Sequence, residues 1–220
     1  MGELMEFKRP DGQSCPGYLT GPSEAPGVVL IQEWWGLNEQ MKGLADRMAE
    51  AGFRALVPDL YRGKLAKDGD EANHMMGELN FIDASEQDIQ GAVNFLKEKS
   101  GKVAVSGFCM GGALTILSAV RVKGMDAGVC FYGIPPAAVA DPKAIRIPLQ
   151  CHFAEQDDWC TPTAVNALEA DFKAGGVSYE LFRYDAQHAF MNEKRPEVYD
   201  EGCAKQAWQR AVDFLKRTIG

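Results

Sequence analysis

The segment Gly107-Phe108-Cys109-Met110-Gly111-Gly112 carries the most specific chemistry in the chain. It follows the apolar run Val103 to Ser106 and precedes an apolar helical pattern, so it reads as a strand, a tight turn and a helix with a thiol at the apex. A nucleophile at such a turn takes a strained backbone conformation, and the glycines two before and two after it remove side chains that would collide. The spacing is therefore steric in origin. Cys109 would stand at the N-terminus of the next helix, where partial positive charge favours an anionic sulfur, and the N–H of Met110 would face a developing oxyanion. Two other uses of the segment are open. Cys109 also suits a small apolar residue at a buried turn, and a glycine-rich strand-to-helix turn can cradle phosphate. Phosphate fits poorly: neither Gly-Lys-Ser/Thr nor Gly-x-Gly-x-x-Gly is present, and Phe108 and Met110 fill the space it needs.

An acyl-transferring thiol needs a base and an acid that orients the base. Asp157 and Asp158 follow the apolar run Leu149 to Phe153, and His188 follows the run Tyr179 to Tyr184. Nucleophile, acid and histidine thus each come after a strand, in the chain order that an α/β-hydrolase sheet requires. His188 can accept the thiol proton and later return it, while a carboxylate fixes its tautomer. Asp157 and Asp158 compete for that place, and an aspartate here also serves to cap the helix opening at Pro162. His74 and His152 read as structural. Cys151, His152, Glu155 and Cys160 form a weaker metal-ligand candidate. Neighbouring residues on a strand point to opposite faces, and no Cys-x-x-Cys or His-x-x-x-His is present, so neither metal nor cofactor is expected.

Positioning these groups requires a particular frame. Polar-apolar alternation from Met5 to Leu19, broken at Asp11-Gly12, predicts an edge hairpin. Short apolar runs then recur at Val28 to Gln32, Arg54 to Val57, Val103 to Ser106, Gly128 to Phe131, Leu149 to Phe153 and Tyr179 to Tyr184. Helical patterns separate them, such as Met41, Leu44, Ala45 and Met48, then Ile89, Ala92, Val93 and Leu96. Gly52 closes the first helix, Ser85 to Asp88 resembles a capping box opening the next, and Thr161-Pro162 supplies a further N-terminus. Residues 62 to 80 read as a loop or short helix over one face, and a last helix spans roughly Glu197 to Thr218. The fold class is α/β, a mostly parallel, doubly wound sheet with helices on both faces, in one domain over residues 1–220. Ligands of such sheets bind beyond the carboxyl ends of the strands.

Composition agrees with a folded enzyme-sized domain. The 220 residues are 46% hydrophobic and 25% charged, which excludes disordered and fibrous chains. With 23 basic and 31 acidic residues the formal net charge is -8, so attraction to a phosphate backbone or an anionic membrane is absent overall and nucleic acid is not an expected partner. No positively charged cap leads into an apolar run at the start, and no stretch approaches a membrane span. Six scattered cysteines read as reduced thiols, so a cytoplasmic location and a monomer or weak oligomer are expected.

With these residues in view, the sequence resembles the dienelactone hydrolase (carboxymethylenebutenolidase) family over nearly its whole length. The resemblance rests on Gly107 to Gly112, on Gln32-Glu33-Trp34-Trp35-Gly36-Leu37-Asn38, on Pro58-Asp59-Leu60-Tyr61 and on Phe131-Tyr132-Gly133. It implies an α/β-hydrolase fold, a triad of Cys109, Asp157 and His188, and an oxyanion hole from the N–H groups of Trp34 and Met110. It implies an auxiliary glutamate at Glu33, which would restrain the resting thiol by like-charge repulsion or take its proton. Trp35, Tyr132, Phe190 and Asn192 would bind substrate. Family members specialised for dienelactone carry an arginine where Asn192 stands and another in the segment after Tyr61, yet residues 66–82 contain none, leaving only Arg62, Lys64 and Lys67 nearby. The sequence therefore predicts a cofactor-free cysteine hydrolase of lactones or activated esters that favours neutral enol or aryl esters. The alternative is a hydrolase-fold binding or redox-sensing protein that uses a reactive Cys109 without ester turnover.

Overall fold

The computed structural model describes residues 2–220. One eight-stranded sheet runs through the molecule in the order β1-β2-β4-β3-β5-β6-β7-β8. The hairpin β1 (Glu3–Lys8) and β2 (Ser14–Thr20) lies antiparallel at one edge, and β2 pairs antiparallel with β4 (Arg54–Pro58). From there β3 (Gly27–Ile31), β5 (Val103–Phe108), β6 (Ala127–Phe131), β7 (Leu149–Gln156) and β8 (Tyr179–Gln187) continue in parallel.

Burial on both faces is written along the central strands. In β3, Val28 and Leu30 join one core with Met41, Leu44 and Met48 of α1 (Glu39–Glu50) and with Ala207, Val212 and Leu215 of α7 (Glu201–Thr218). Val29 and Ile31, one residue out of phase, join the opposite core with Val93 and Leu96 of α4 (Gln90–Lys97) and Leu114 of α5 (Met110–Arg121). This is the period of two of a strand covered on both sides. A third cluster seats α6 (Pro162–Gly175) through Val165, Leu168 and Phe172. The crossover direction reverses between β3 and β5, so a crevice opens beyond their carboxyl ends.

Of the two expectations for residues 62–80 the short helix holds: residues 69–78 form the ten-residue α2 (Gly69–Glu78), started by Asp68, whose side chain accepts from the Glu71 N–H. Two boundaries differ from the sequence expectations. Ser85 to Asp88 does not start a helix. The helical segment begins earlier, at α3 (Phe81–Asp83), where Asn80 accepts from the Ile82 and Asp83 N–H groups, and it runs through a wide turn over Ala84–Ile89 into α4. Ser85 sits inside that turn and bonds the Ser118 hydroxyl at 3.2 Å. The last helix opens at Glu201 because Asp200 caps it, accepting from the Cys203 N–H. Gly52 (φ 103°) and the Thr161 cap stand where the sequence puts them.

The same wide turn points Asp88 at the edge hairpin. Its carboxylate meets Arg9, beyond β1, at 3.2 Å and Arg62, beyond β4, at 2.7 Å, with only 3% of the side chain exposed. Without Asp88, Arg9 keeps Asp11 and Asp83 at 2.8 and 3.0 Å and the partly exposed Arg62 keeps the Asp59 carbonyl at 2.8 Å, so what is lost is the one buried carboxylate they share. Asp88→Ala should therefore lower unfolding free energy by about 1–3 kcal/mol, whereas Asp83→Ala, whose half-exposed side chain meets Arg9 at 3.0 Å, should cost under about 1 kcal/mol. Urea melts of both variants check the ranking.

Candidate active site

Each reactive group sits just past a strand at the crevice. Register pairs Ile31 with Gly107 and Phe108 with Phe131, which brings the ends of β3, β5 and β6 side by side. Cys109 joins β5 to α5 with φ 56° and ψ -116°, a conformation outside the regions open to ordinary residues. The turn is closed enough that a Cβ on Gly107 would lie 2.1 Å from the Gly111 carbonyl oxygen, and one on Gly111 would lie 2.4 Å from that of Ile31. Met110 is the first residue of α5, so its N–H has no acceptor within the helix.

His188, just beyond β8, links the thiol to the acid. Its Nε2 lies 3.1 Å from Cys109 Sγ and its Nδ1 lies 2.7 Å from Asp157 Oδ2. The other oxygen of Asp157 accepts from the N–H groups of Trp159 and Cys160 at 2.7 and 2.8 Å. Asp158 is exposed and lines the pocket, so of the two aspartates it is Asp157 that bonds the imidazole. Burial opposes charge on His188, but its bonds to Asp157 and Cys109 outweigh that and raise its pKa to about 10. Burial likewise raises Asp157, and the His188 bond with the two N–H donors overcomes it, leaving the carboxyl below its ordinary value.

Glu33 lines the same pocket, and burial pushes its pKa up against the pull of its partners. The Asn192 amide donates to it at 2.6 Å and the Tyr132 hydroxyl at 3.3 Å. Asn192 is buried behind Glu33 and bonds its carboxyl outside the pocket lining, and Phe190 is fully buried against Tyr132 and Tyr184. Trp34 and Trp35 do line the pocket, and Trp159 packs edge-on to Trp34 at 5.6 Å. His152 is structural: Tyr184 and Gln150 hold its two nitrogens, and burial lowers its pKa to about 3.

The cation of the pocket is one the sequence reading passed over. Arg195 lines the space with Cys109, stacks over Trp35 at 5.8 Å and donates Nε to Glu197 at 2.8 Å. None of Arg62, Lys64 or Lys67 lines it, and Arg62 is committed to Asp88. Arg195 lies only three residues past Asn192 on the same loop after β8, so reading the whole loop rather than one position would have found it. Trp159, beside the two aspartates, carried the same positional signal.

Residues 15–219 match the dienelactone hydrolase family. The chain belongs to that family. It is 36% identical to the protein usf of Aquifex pyrophilus, each chain covered over its full length. It is 34% identical to a protein of Aquifex aeolicus (strain VF5) named as a candidate carboxymethylenebutenolidase, with 98% of each chain covered. The fold is shared with the crystal structure of a dienelactone hydrolase-like promiscuous phosphotriesterase from metagenomic libraries, at a TM-score of 0.85 and 23% identity, covering 100% of this chain and 99% of that one. As a dienelactone hydrolase-like protein it is a carboxylic ester hydrolase of α/β-hydrolase fold. Among the described residues no helix is long and apolar enough to cross a membrane.

The His188 linkage has a definite sign. A folded-state pKa near 10 against an ordinary 6.5 gives stability that is complete below pH 6.5 and fades as pH rises through 10. The melting temperature of the wild type should exceed that of His188→Gln at pH 6, and the gap should narrow toward pH 10.5 by roughly 2–4 °C per kcal/mol lost. A gap independent of pH would count against the coupling.

Proposed function

We propose that this chain hydrolyses lactones or activated esters through a thioester on Cys109. The observation that carries the reading is the unbroken chain of bonds from Asp157 through His188 to the Cys109 sulfur at 2.7 and 3.1 Å. A thiol that only senses oxidants has no need of an imidazole oriented by a buried acid, so the geometry favours acyl transfer over the redox alternative. All six cysteines are free, which supports a reducing, cytoplasmic setting.

The thiol proton passes to His188 Nε2, and Asp157 stabilises the imidazolium. Sγ then attacks the carbonyl carbon, forming the C–S bond as the carbonyl electrons move to oxygen. That oxygen is received by the N–H groups of Met110 and Trp34. As the carbonyl reforms, the bond to the leaving oxygen breaks and that oxygen takes the proton from His188. In the second half a water oxygen bonds to the thioester carbon and gives its proton to His188, the C–S bond breaks and the acid departs. A thiolate leaves far more readily than an alkoxide, so the first half succeeds best where the departing oxygen is an enolate or phenolate.

Glu33 is the auxiliary carboxylate. Its protonated form is favoured by burial, which limits repulsion of the sulfur anion while Tyr132 and Asn192 fix its position. Arg195 supplies a cation for a substrate carboxylate, and this revises the preference drawn from the sequence: anionic lactones are accepted alongside neutral esters.

Cys109→Ala should abolish hydrolysis of an aryl acetate, and Cys109→Ser should leave only weak turnover. His188→Ala should lose at least about 10²-fold in kcat, and Asp157→Asn should be more damaging than Asp158→Asn. Wild-type turnover in the alanine variant of Cys109 would end the thioester reading. Mass spectrometry of the acylated wild type, run beside it, should place the adduct on Cys109. Arg195→Gln should reduce kcat/KM for a carboxylate-bearing enol lactone by roughly 10²-fold, with a much smaller change for a neutral aryl ester. An equal loss on both substrates would remove Arg195 from carboxylate recognition.

A further inference from the structure

Cys109 is approached from two sides. The pocket with Trp35 and Arg195 lies on one. On the other, a second cavity of about 260 Å³ opens between α2, the first turn of α5 and the segment after β6. Its wall is made by Met76, Phe81, Met110, Ala113, Ile134 and Pro136. Cys109, His188, Met76 and Trp159 border both spaces, so the two meet at the sulfur.

The two sides differ in kind. Gln156, Asp158, Gln187 and Arg195 line the first. Among the described residues no carboxylate, lysine or arginine lines the second. An ester bound over Cys109 must send one arm each way. The leaving oxygen departs beside His188, and water must then reach the same nitrogen, so the polar side suits both events. The acyl arm stays attached to sulfur while water attacks, and an apolar wall holds it in place by burying its surface.

We propose that the second cavity is an acyl pocket that takes the aliphatic arm of a medium-chain ester, with the leaving alcohol on the Arg195 side. The proposal rests on the thioester reading and adds the substrate class. A methylene needs about as much room as a water molecule, roughly 30 Å³, so the cavity accommodates an acyl chain of roughly six to eight carbons. Met76 and Phe81, which sit on α2 and at the start of α3, form its outer wall. These elements lie outside the central sheet, and the chain length accepted is set by them and by Ala113.

The test is a series of p-nitrophenyl esters from acetate to dodecanoate, assayed on the full chain. Each methylene buried should raise kcat/KM roughly fourfold, up to hexanoate or octanoate, after which the values should fall. Ala113→Leu should fill the cavity and lower the hexanoate value at least about tenfold, while the acetate, with no chain to place there, loses far less. Phe81→Ala, at a partly exposed position on the margin of the core, should move the optimum to longer chains and keeps the proposal testable if Ala113→Leu does not fold. A flat acyl series with Cys109-dependent acetate turnover intact overturns the acyl pocket alone. So does a rise that appears only when the alcohol of an acetate ester is lengthened. Absence of Cys109-dependent turnover even of the acetate overturns the thioester reading and this proposal with it.

Discussion

The turn that carries Cys109 leaves no room for a single extra carbon. A Cβ on Gly112 would come within 2.4 Å of the Phe131 carbonyl oxygen, and one on Gly133 would come within 2.3 Å of that of Cys109. Backbones of β5, α5 and the segment after β6 therefore touch directly around the thiol, and their positions fix one another. The strained conformation of Cys109 persists because these contacts over-determine it. Tyr132 and Ala189 also have positive φ, at 40° and 63°. The first leads the strand-end segment of β6 and the second follows His188, so strain gathers where three strand ends deliver the reactive groups. Moving any one of them would disturb the others, which is why the distances at the sulfur stay short.

Charge is arranged around the same point by unequal burial. His188 has both nitrogens engaged, one by a carboxylate and one by sulfur, and both contacts favour the protonated ring that results when the thiol gives up its proton. Glu33 receives neutral donors from Asn192 and Tyr132, so desolvation dominates and its proton affinity rises. Two carboxyl groups near one histidine thus differ in protonation tendency because one faces the imidazole and N–H donors while the other faces amide and phenol. Tyr132 contributes on both sides, packing edge-on to His188 at 5.2 Å while its hydroxyl restrains Glu33. The raised pKa of its own hydroxyl, from burial and the neighbouring Glu33, keeps it a donor.

Much of this was legible in the sequence, and the parts that were not share a cause. The strands of the sheet, the elbow and the order of Cys109, Asp157 and His188 are encoded locally, by period, by glycine spacing and by position after a strand. Asp157 and Asp158 are indistinguishable in composition, and only the turn over Trp159 and Cys160 decides which one faces inward. Asn192 illustrates a different limit: its place in the chain suggests substrate, yet its side chain turns back on Glu33, some 160 residues away in sequence. Arg195 reaches the pocket because the loop after β8 bends, a fact of tertiary structure. The helix start at Phe81 was hidden because Asn80 caps it in a segment with little apolar periodicity, while Ser85 imitates a cap but spends its hydroxyl on Ser118.

Two residues at the site use one polar atom to fold their loop and another to hold a neighbouring side chain. Asp157 gives one oxygen to the N–H groups of Trp159 and Cys160 and the other to His188. Asn192 accepts from the Lys194 N–H with its carbonyl and donates its amide to Glu33. An acid free on a flexible loop would lose orientational entropy each time it met the imidazole. Here the loop hydrogen bonds have already removed that freedom, so the bond to His188 forms with little further ordering. The arrangement also explains why truncation at these positions removes two things together. An alanine at 157 loses the acid and unties the loop holding Trp159, whereas an asparagine retains the oxygen that organises the loop and alters only the partner offered to His188. The bond of the carboxylate to His188 is thus separable from its role in the loop by chemistry at a single oxygen.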